Sequence, residues 1–293
     1  MKILLTIHHN LDPNSGAPGV TWKLGQEYQK LGHEVEYYSF DNLPHKLPGI
    51  VESMMFPEFL ASRILALSQK QAVDVVDAST GDAWVWAKLR RNSNSPILVT
   101  RSHGLEHIMH LENSEEARLG NLNLSWKYPL YHGGFRLWEV ANSLRDADAS
   151  LFCNRRDLDY AVKKLGVDIG RASLCENGIP ETFLNLPFEP TPEAKDSVIR
   201  IALVASYIPR KGIHYGVPAL NEILARYPQV EVTFWGRVAL KLRFMQISSH
   251  LYTIAFELCH ATNMKNCRNF CADIISSFFL PSRKGLAWLL WML

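Results

Sequence analysis

Cysteine is scarce and odd in number. Five among 293 residues, with Cys153 and Cys175 before position 236 and Cys259, Cys267 and Cys271 crowded after it, exclude the disulfide framework that staples small secreted domains. They suit a reducing compartment, and the cytoplasm is the expected location. A surplus of either charge is lacking too: 31 Lys and Arg against 29 Asp and Glu leave a formal net charge of +2. That gives no electrostatic case for nucleic acid or an anionic membrane as partner, although local basic turns can still hold phosphates. No window reaches the ~18–20 uninterrupted apolar residues of a membrane span, so no transmembrane segment is expected and any membrane contact would be peripheral. The amino terminus MKILLTIHH carries only a short apolar run, Ile3 to Ile7, with no small-residue cleavage site after it. A secretory leader needs ~7–15 such residues, so this stretch reads as a first buried strand.

Several motifs are missing as well. Gly16 and Gly19 follow the first strand but do not make a GxGxxG, which disfavours a nicotinamide-dependent enzyme. His103, Glu106, His107 and His110 crowd together in RSHGLEHIMH, yet HGLEH lacks the His-Glu-x-x-His order of zinc proteases. His103 and His107 would share a helix face only if a helix began before Gly104. No metal site is expected there. Nor is one expected at Cys259, His260, Cys267 and Cys271, which contain no C-x-x-C.

What is present is an alternation of strands and helices. With 47% hydrophobic and 20% charged residues, the chain has the composition of a soluble globular protein of one large or two medium domains. Strands are expected at Lys2–Ile7, Val35–Phe40, Val73–Val76, Pro96–Thr100, Ala149–Cys153 and Ala172–Cys175. Helices are expected at Val20–Leu31 (closed by Gly32), Pro57–Gln71, Gly81–Arg91, through 111–145, and at Asn154–Leu165 with an Asn cap. The aromatic residues Trp126, Tyr128, Tyr131, Phe135 and Trp138 suit either packing or a sugar platform. The best-formed stretch runs from Ile199 to Gly236. An apolar strand there leads through Arg210-Lys211-Gly212 to a helix with Val217, Leu220, Ile223 and Leu224 on one face, and a second strand ends at Trp235. This βαβ unit puts a basic turn at the carboxyl end of its first strand, where open α/β sheets bind phosphorylated ligands. The alternation as a whole argues for two doubly wound α/β domains facing one another. The proline-bearing stretch 181–196 connects them, so the expected division is residues 1–185, a linker over 186–197, and a second domain from 198.

Two candidate positions stand out in the first half. The glycine-bearing loop before the first helix could aim backbone N–H groups and the helix dipole at an anion, or be a plain tight turn. His103, at the carboxyl end of a strand, could face a ligand or be satisfied by a carboxylate such as Glu106.

The segments SGAPG, KLGHEV, TRSHGLEH, DADASLFCNRRD, CENGIP and ASYIPRKGI occur in that order, and with them residues 1 to about 236 resemble glycosyltransferase family 4. The resemblance implies the GT-B fold, two Rossmann-like domains, with the second incomplete here. It also implies transfer of a hexose from a nucleotide-sugar donor to an acceptor with retention of configuration, without metal ion or cofactor. Carried over, Gly16 and Gly19 would flank the donor phosphates or acceptor, His103 would sit beside the transferred sugar, and Glu106 and Ser206 are further substrate-binding candidates. Lys211 matches the lysine that neutralises the departing diphosphate. The family's partner arginine falls at Ser206, and Arg210 is the stand-in.

After Gly236 the pattern changes. A helix, further βαβ units and two acidic residues eight positions apart are expected, but residues 237–293 read RVALKLRFMQISS to the end. If one nucleotide was lost after the Gly236 codon, each original codon is the third base of one residue followed by two of the next. Trp291-Met292 then forces Asp, and Cys271–Leu293 can be read as (R/C)GHHIKLFPSLSEGFGLALVDA, containing the acidic pair. The expectation is a frameshifted tail and a chain that is a poor enzyme, or else a non-catalytic acceptor-binding module. A membrane anchor is not expected, because Arg283 and Lys284 split the final apolar stretch.

Overall fold

The computed structural model describes residues 1–44, 47–90, 95–187 and 198–235. The chain divides into two compact units, Met1–Gly178 and the part from Ile179 onward.

In the first unit, strands β1 (Lys2–Ile7), β2 (Glu34–Ser39), β3 (Val75–Ser79), β4 (Ile97–Ser102), β5 (Ala149–Phe152) and β6 (Ala172–Leu174) form one parallel sheet in the order β2-β1-β3-β4-β5-β6. Helices α1 (Ala17–Lys30), α2 (Gly49–Gln69), α3 (Trp84–Leu89), α4 (Glu106–Arg118), α5 (Arg136–Asp146) and α6 (Arg155–Tyr160) connect them. The central strands β1 and β3 are buried almost throughout because helices cover the sheet, whereas β4 and β5 alternate in burial. Register puts Leu4 beside Val76 and Val76 beside Leu98. All three are fully buried against Leu60 and Ile64 of α2 and Trp86 of α3, each such side chain stabilising by about 1.5–3 kcal/mol. Leu5 and Asp77, also paired, lie instead with Thr21 and Leu24 of α1. A second apolar cluster gathers Leu105, Ile108, Val140, Leu144, Phe152 and Leu158 from α4, α5, α6 and β5. The chain leaves β1 for β2 on one side and returns to β3 on the other, so strand order reverses at β1 and β3. That is the crevice where open α/β sheets bind ligands.

Several boundaries differ from the sequence reading. Helix α1 begins at Ala17, with Pro18 in its first turn, a position whose missing N–H costs nothing. Helix α2 starts at Gly49 and carries Pro57 inside it; burial of Phe56, Pro57 and Leu60 outweighs the helix cost of proline. The stretch 111–145 is not one helix. Gly120, at φ +80°, follows α4, and a wide turn at Tyr131–Phe135 leads into α5. Asn154 does cap α6, accepting from the Asp157 N–H at 2.9 Å, but α6 ends at Tyr160 and gives way to a wide turn over Ala161–Leu165. Gly32, at φ +84°, sits just beyond α1 as expected.

In the second unit, after the short helix α7 (Glu181–Leu184), β7 (Ile199–Val204), α8 (Ile213–Arg226) and β8 (Val230–Trp235) form the expected βαβ. Val217 and Leu224 of α8 are its buried positions. Most of the expected linker, the end of the helix expected at Gly81–Arg91, and Gly236 with the whole tail lie outside the described residues. Among those described, no helix is long and apolar enough to cross a membrane, and Cys153 and Cys175 are free.

Candidate functional site

Polar groups converge at the carboxyl ends of β1, β3 and β4. Just past β3, Asp82 is wholly buried and accepts from Thr6 Oγ1 at 3.0 Å and from His8 Nδ1 at 2.6 Å. Arg136, at the start of α5 and also buried, donates to the Thr80 carbonyl at 2.5 Å and to Glu139 Oε2 at 3.3 Å. It also pairs with Asp82 at 3.7 Å and Glu106 at 3.6 Å. Burial alone would depress the Arg136 pKa, but Glu106, Asp82 and Glu139 reverse this and raise it. Glu139 is fully buried and accepts from Trp84 Nε1. Its burial outweighs the nearby guanidinium and pushes its pKa up to about 7.

Glu106 does not serve His103. Its Oε1 accepts from Thr80 Oγ1 at 2.8 Å, while its Oε2 is buried without a hydrogen-bond partner, an acceptor left over for a donor from elsewhere.

His103 follows β4 and lines a small pocket with Leu5, Thr6, Thr21, Leu24, Asp77, Ser79 and Arg101. Burial, then the charge of Arg101, lowers its pKa to about 4, so it is a neutral imidazole at physiological pH. Beneath it Arg101 reaches Asp77 through two bonds, Nε to Oδ1 at 3.2 Å and Nη2 to Oδ2 at 2.8 Å. The Tyr28 hydroxyl also donates to Asp77, and burial followed by the Asp77 charge raises the Tyr28 pKa to about 12.

Gly104, at φ +130°, turns the chain before α4 starts at Glu106, so His103 and His107 do not share a helix face. Burial and the neighbouring His110 lower the His107 pKa to about 4. Among the described residues no group of three His, Cys, Asp or Glu side chains is placed to hold a metal ion.

The two glycines of the first loop differ. Gly16 is the N-cap of α1, which has no side-chain cap and no acidic residue in its first turn; a Cβ there would meet nothing. That leaves the helix terminus open to an anion. Gly19 lies inside the helix, and its Cβ would stand 2.9 Å from the Pro13 carbonyl oxygen, so backbone packing alone explains it. The loop itself is tied down by Asp41, which accepts from the Leu11 N–H and the Asn10 amide. Through Thr21, α1 shares the pocket of His103.

In the second unit, Ser206, Arg210 and Lys211 all lie in the connection between β7 and α8. Residues Pro209–Lys211 form a single 3-10 turn closed by Gly212 at φ +71°, with Arg210 and Lys211 exposed.

Sequence reasoning missed His8, Asp82, Arg136 and Glu139. The available signal was a carboxylate at the end of an apolar strand, which needs a buried partner. Of the aromatic residues, Tyr131 is buried, while Phe135 stacks on Trp138 with both partly exposed.

No protein-family model matches the chain, and no curated protein does. Solved structures do. The chain is similar to sucrose-phosphate synthase from Thermosynechococcus elongatus, with a TM-score of 0.56 and 17% identity over 80% of this chain and 62% of that one. It is also similar to the catalytic domain of starch synthase IV from Arabidopsis thaliana bound to ADP and acarbose, with a TM-score of 0.52 and 12% identity over 82% of this chain and 69% of that one. The likeness shows the fold: an α/β chain of the GT-B class. The chain spans less than two thirds of the length of the first of these.

Proposed function

We propose that the chain is a glycosyltransferase of family 4 by descent, built to move a hexose from a nucleotide-sugar donor to a hydroxyl acceptor held by the amino-terminal unit, with retention of configuration and without a metal ion. The observation that carries this reading is a neutral His103 sharing one pocket with α1, whose N-terminus is uncapped, on a GT-B sheet. A neutral imidazole offers the transferred sugar a hydrogen-bond partner without adding a charge. The solved structure of starch synthase IV holds ADP, the kind of diphosphate that such a transfer releases.

As the bond from sugar to phosphate breaks, charge develops on the departing diphosphate. Cations fixed beside it stabilise the transition state more than the ground state. In this reading Lys211 and Arg210 supply them, and Ser206 occupies the position of the missing arginine. Gly16 and Glu106 line the amino-terminal side. The expected division at 185 and the linker at 186–197 belong to the same proposal, as does a cytoplasmic location.

The test is release of nucleoside diphosphate by the full chain from UDP-glucose and ADP-glucose. Turnover abolished by His103→Ala and by Lys211→Ala supports the reading, and turnover indifferent to both overturns it. A second reading, an acceptor-binding module without turnover, is favoured by the unpartnered Glu106 Oε2 of the first unit; saturable acceptor binding with no diphosphate release would select it. We further propose that residues 237–293 are an out-of-frame translation. Resequencing across the codons for Trp235 to Val238 decides this: one additional base that opens a frame through EGFGLALVD supports it, and confirmation of the printed frame overturns sequencing error as its cause.

A further inference from the structure

Three aromatic rings border the polar cluster without belonging to it. Trp84 opens α3 two positions past Asp82, and Phe135 directly precedes Arg136, with Trp138 one helical turn further on. The rings of Phe135 and Trp138 stack with centroids 5.6 Å apart and planes 18° from parallel. The Trp84 ring stands edge-on to both, at 6.2 and 4.9 Å. Its Nε1 donates to buried Glu139 at 3.2 Å, and buried Tyr131 meets Phe135 as well. The rings are therefore fixed by their neighbours, with little side-chain freedom left to lose when a ligand binds.

Core packing does not account for them. Trp86, two residues from Trp84, is buried in the core, whereas Phe135 is 39% and Trp138 47% exposed. Clustered aromatic surface left in water beside a polar crevice marks a place where something binds. The chemistry selects what. An aromatic face is negative and the C–H bonds of a pyranose ring are slightly positive, so a sugar lies flat on such a ring and turns its hydroxyls to polar partners. Charge argues against an anionic ligand or lipid surface. Glu139 holds Trp84, and Glu58 of α2 acts electrostatically on Glu139. The neighbouring cation, Arg136, is already shared among Asp82, Glu106 and Glu139. Glu58 Oε2 is buried without a hydrogen-bond partner, an acceptor that a hydroxyl would satisfy.

We infer that Trp84, Phe135 and Trp138 form a platform for a neutral saccharide chain that leads to the polar cluster at the carboxyl ends of β1 and β3, so that the acceptor is a glycan. The inference deepens the glycosyltransferase reading above and rests on it for the acceptor role; the binding itself needs no turnover.

The experiment titrates the full chain with maltopentaose, cellopentaose, chitopentaose and glucose by calorimetry. At least one pentasaccharide binds saturably, and about tenfold or more tightly than glucose, because it covers more than one ring. Trp138→Leu keeps an apolar surface but removes the aromatic face, and weakens that binding about 10-fold; Trp138→Tyr restores most of it. Phe135→Leu is the second variant, and circular dichroism checks that each is folded. Binding that survives both leucine variants, saturable binding of none of the pentasaccharides, or binding of anionic phospholipid vesicles in their place overturns the platform. Diphosphate release from UDP-glucose or ADP-glucose that the bound pentasaccharide stimulates supports the acceptor role, and turnover with glycerol but not with that pentasaccharide overturns it. Pentasaccharide binding lost in Trp138→Leu, in a wild-type chain that turns over no donor, overturns the glycosyltransferase reading and leaves the platform standing.

Discussion

Gly81 and Arg136 are a matched pair. A Cβ on Gly81 would stand 2.7 Å from Arg136 Nη1 and 2.8 Å from its Cζ, and Gly81 is at φ +78°. The turn after β3 and the guanidinium therefore fit only because one side chain is absent. Gly81→Ala meets two penalties, a left-handed backbone that costs about 1 kcal/mol for alanine and displacement of a buried cation from its carboxylates. The expected loss is about 2–4 kcal/mol in urea unfolding of the full chain. Wild-type stability would show that Arg136 shifts freely.

The two glycines of the first loop separate structure from ligand. Gly16 has open space around its missing Cβ, at φ −61°, whereas Gly19 packs against the Pro13 carbonyl. Gly16→Ala should change unfolding free energy by less than about 0.5 kcal/mol, while Gly19→Ala costs about 1–3 kcal/mol. Any loss of donor turnover in Gly16→Ala is then an effect on the ligand. Stability lost equally in both variants would refute the distinction.

The fold was legible where one local rule decided it. Apolar runs gave the strands of the first sheet and the βαβ from Ile199, and Gly32 and Asn154 marked ends because a left-handed glycine and an Asn cap act within a few residues. Pro57 misled, since tertiary burial of Phe56 and Leu60 overrides a local helix penalty. His103 was legible as a strand-end residue. The cluster around Asp82 was not: His8, Asp82 and Arg136 are 74 and 128 positions from one another in the pairs that bond, and only the fold brings them together.

His103 should stay neutral through the working range. Its pKa, lowered to about 4 by burial and Arg101, lies below the ordinary value of 6.5, so the folded chain binds fewer protons than the unfolded chain between those limits. Stability tied to this group is present above pH 6.5 and is lost as pH falls through about 4. Proton NMR of the His103 ring should show no titration between pH 5.5 and 8; an inflection in that window would contradict the burial described.

Glu139 has the opposite sign. Its pKa, raised from 4.5 to about 7 by burial, means that the folded chain holds a proton that the unfolded chain has released. Its contribution is therefore most favourable below about pH 4.5 and is lost as pH rises through about 7. Glu139→Gln keeps the shape and the acceptor for Trp84 Nε1 while removing the titration. The variant should gain on the wild type, by roughly 1–3 kcal/mol at the upper limit, as pH rises from 5 to 8 in urea unfolding. A difference that stays flat across this range would assign the pH dependence elsewhere.

Asp77 is the buried counterion of Arg101 under the pocket of His103. The guanidinium is 13% exposed and the carboxylate 4%. Burial works to lower the Arg101 pKa, and Asp77 with its two bonds raises it instead. Asp77→Ala leaves a cation buried without its counterion, which costs about 3–5 kcal/mol. Asp77→Asn keeps the shape and one acceptor, and should cost less. The Tyr28 hydroxyl provides a separate readout, because Asp77 is the leading charge that raises its pKa. In Asp77→Asn the Tyr28 ionisation, followed by ultraviolet absorbance, should move down from about 12. A titration that stays at the wild-type position would mean that burial alone holds the phenol, and that the triad is a packing contact and not an electrostatic one.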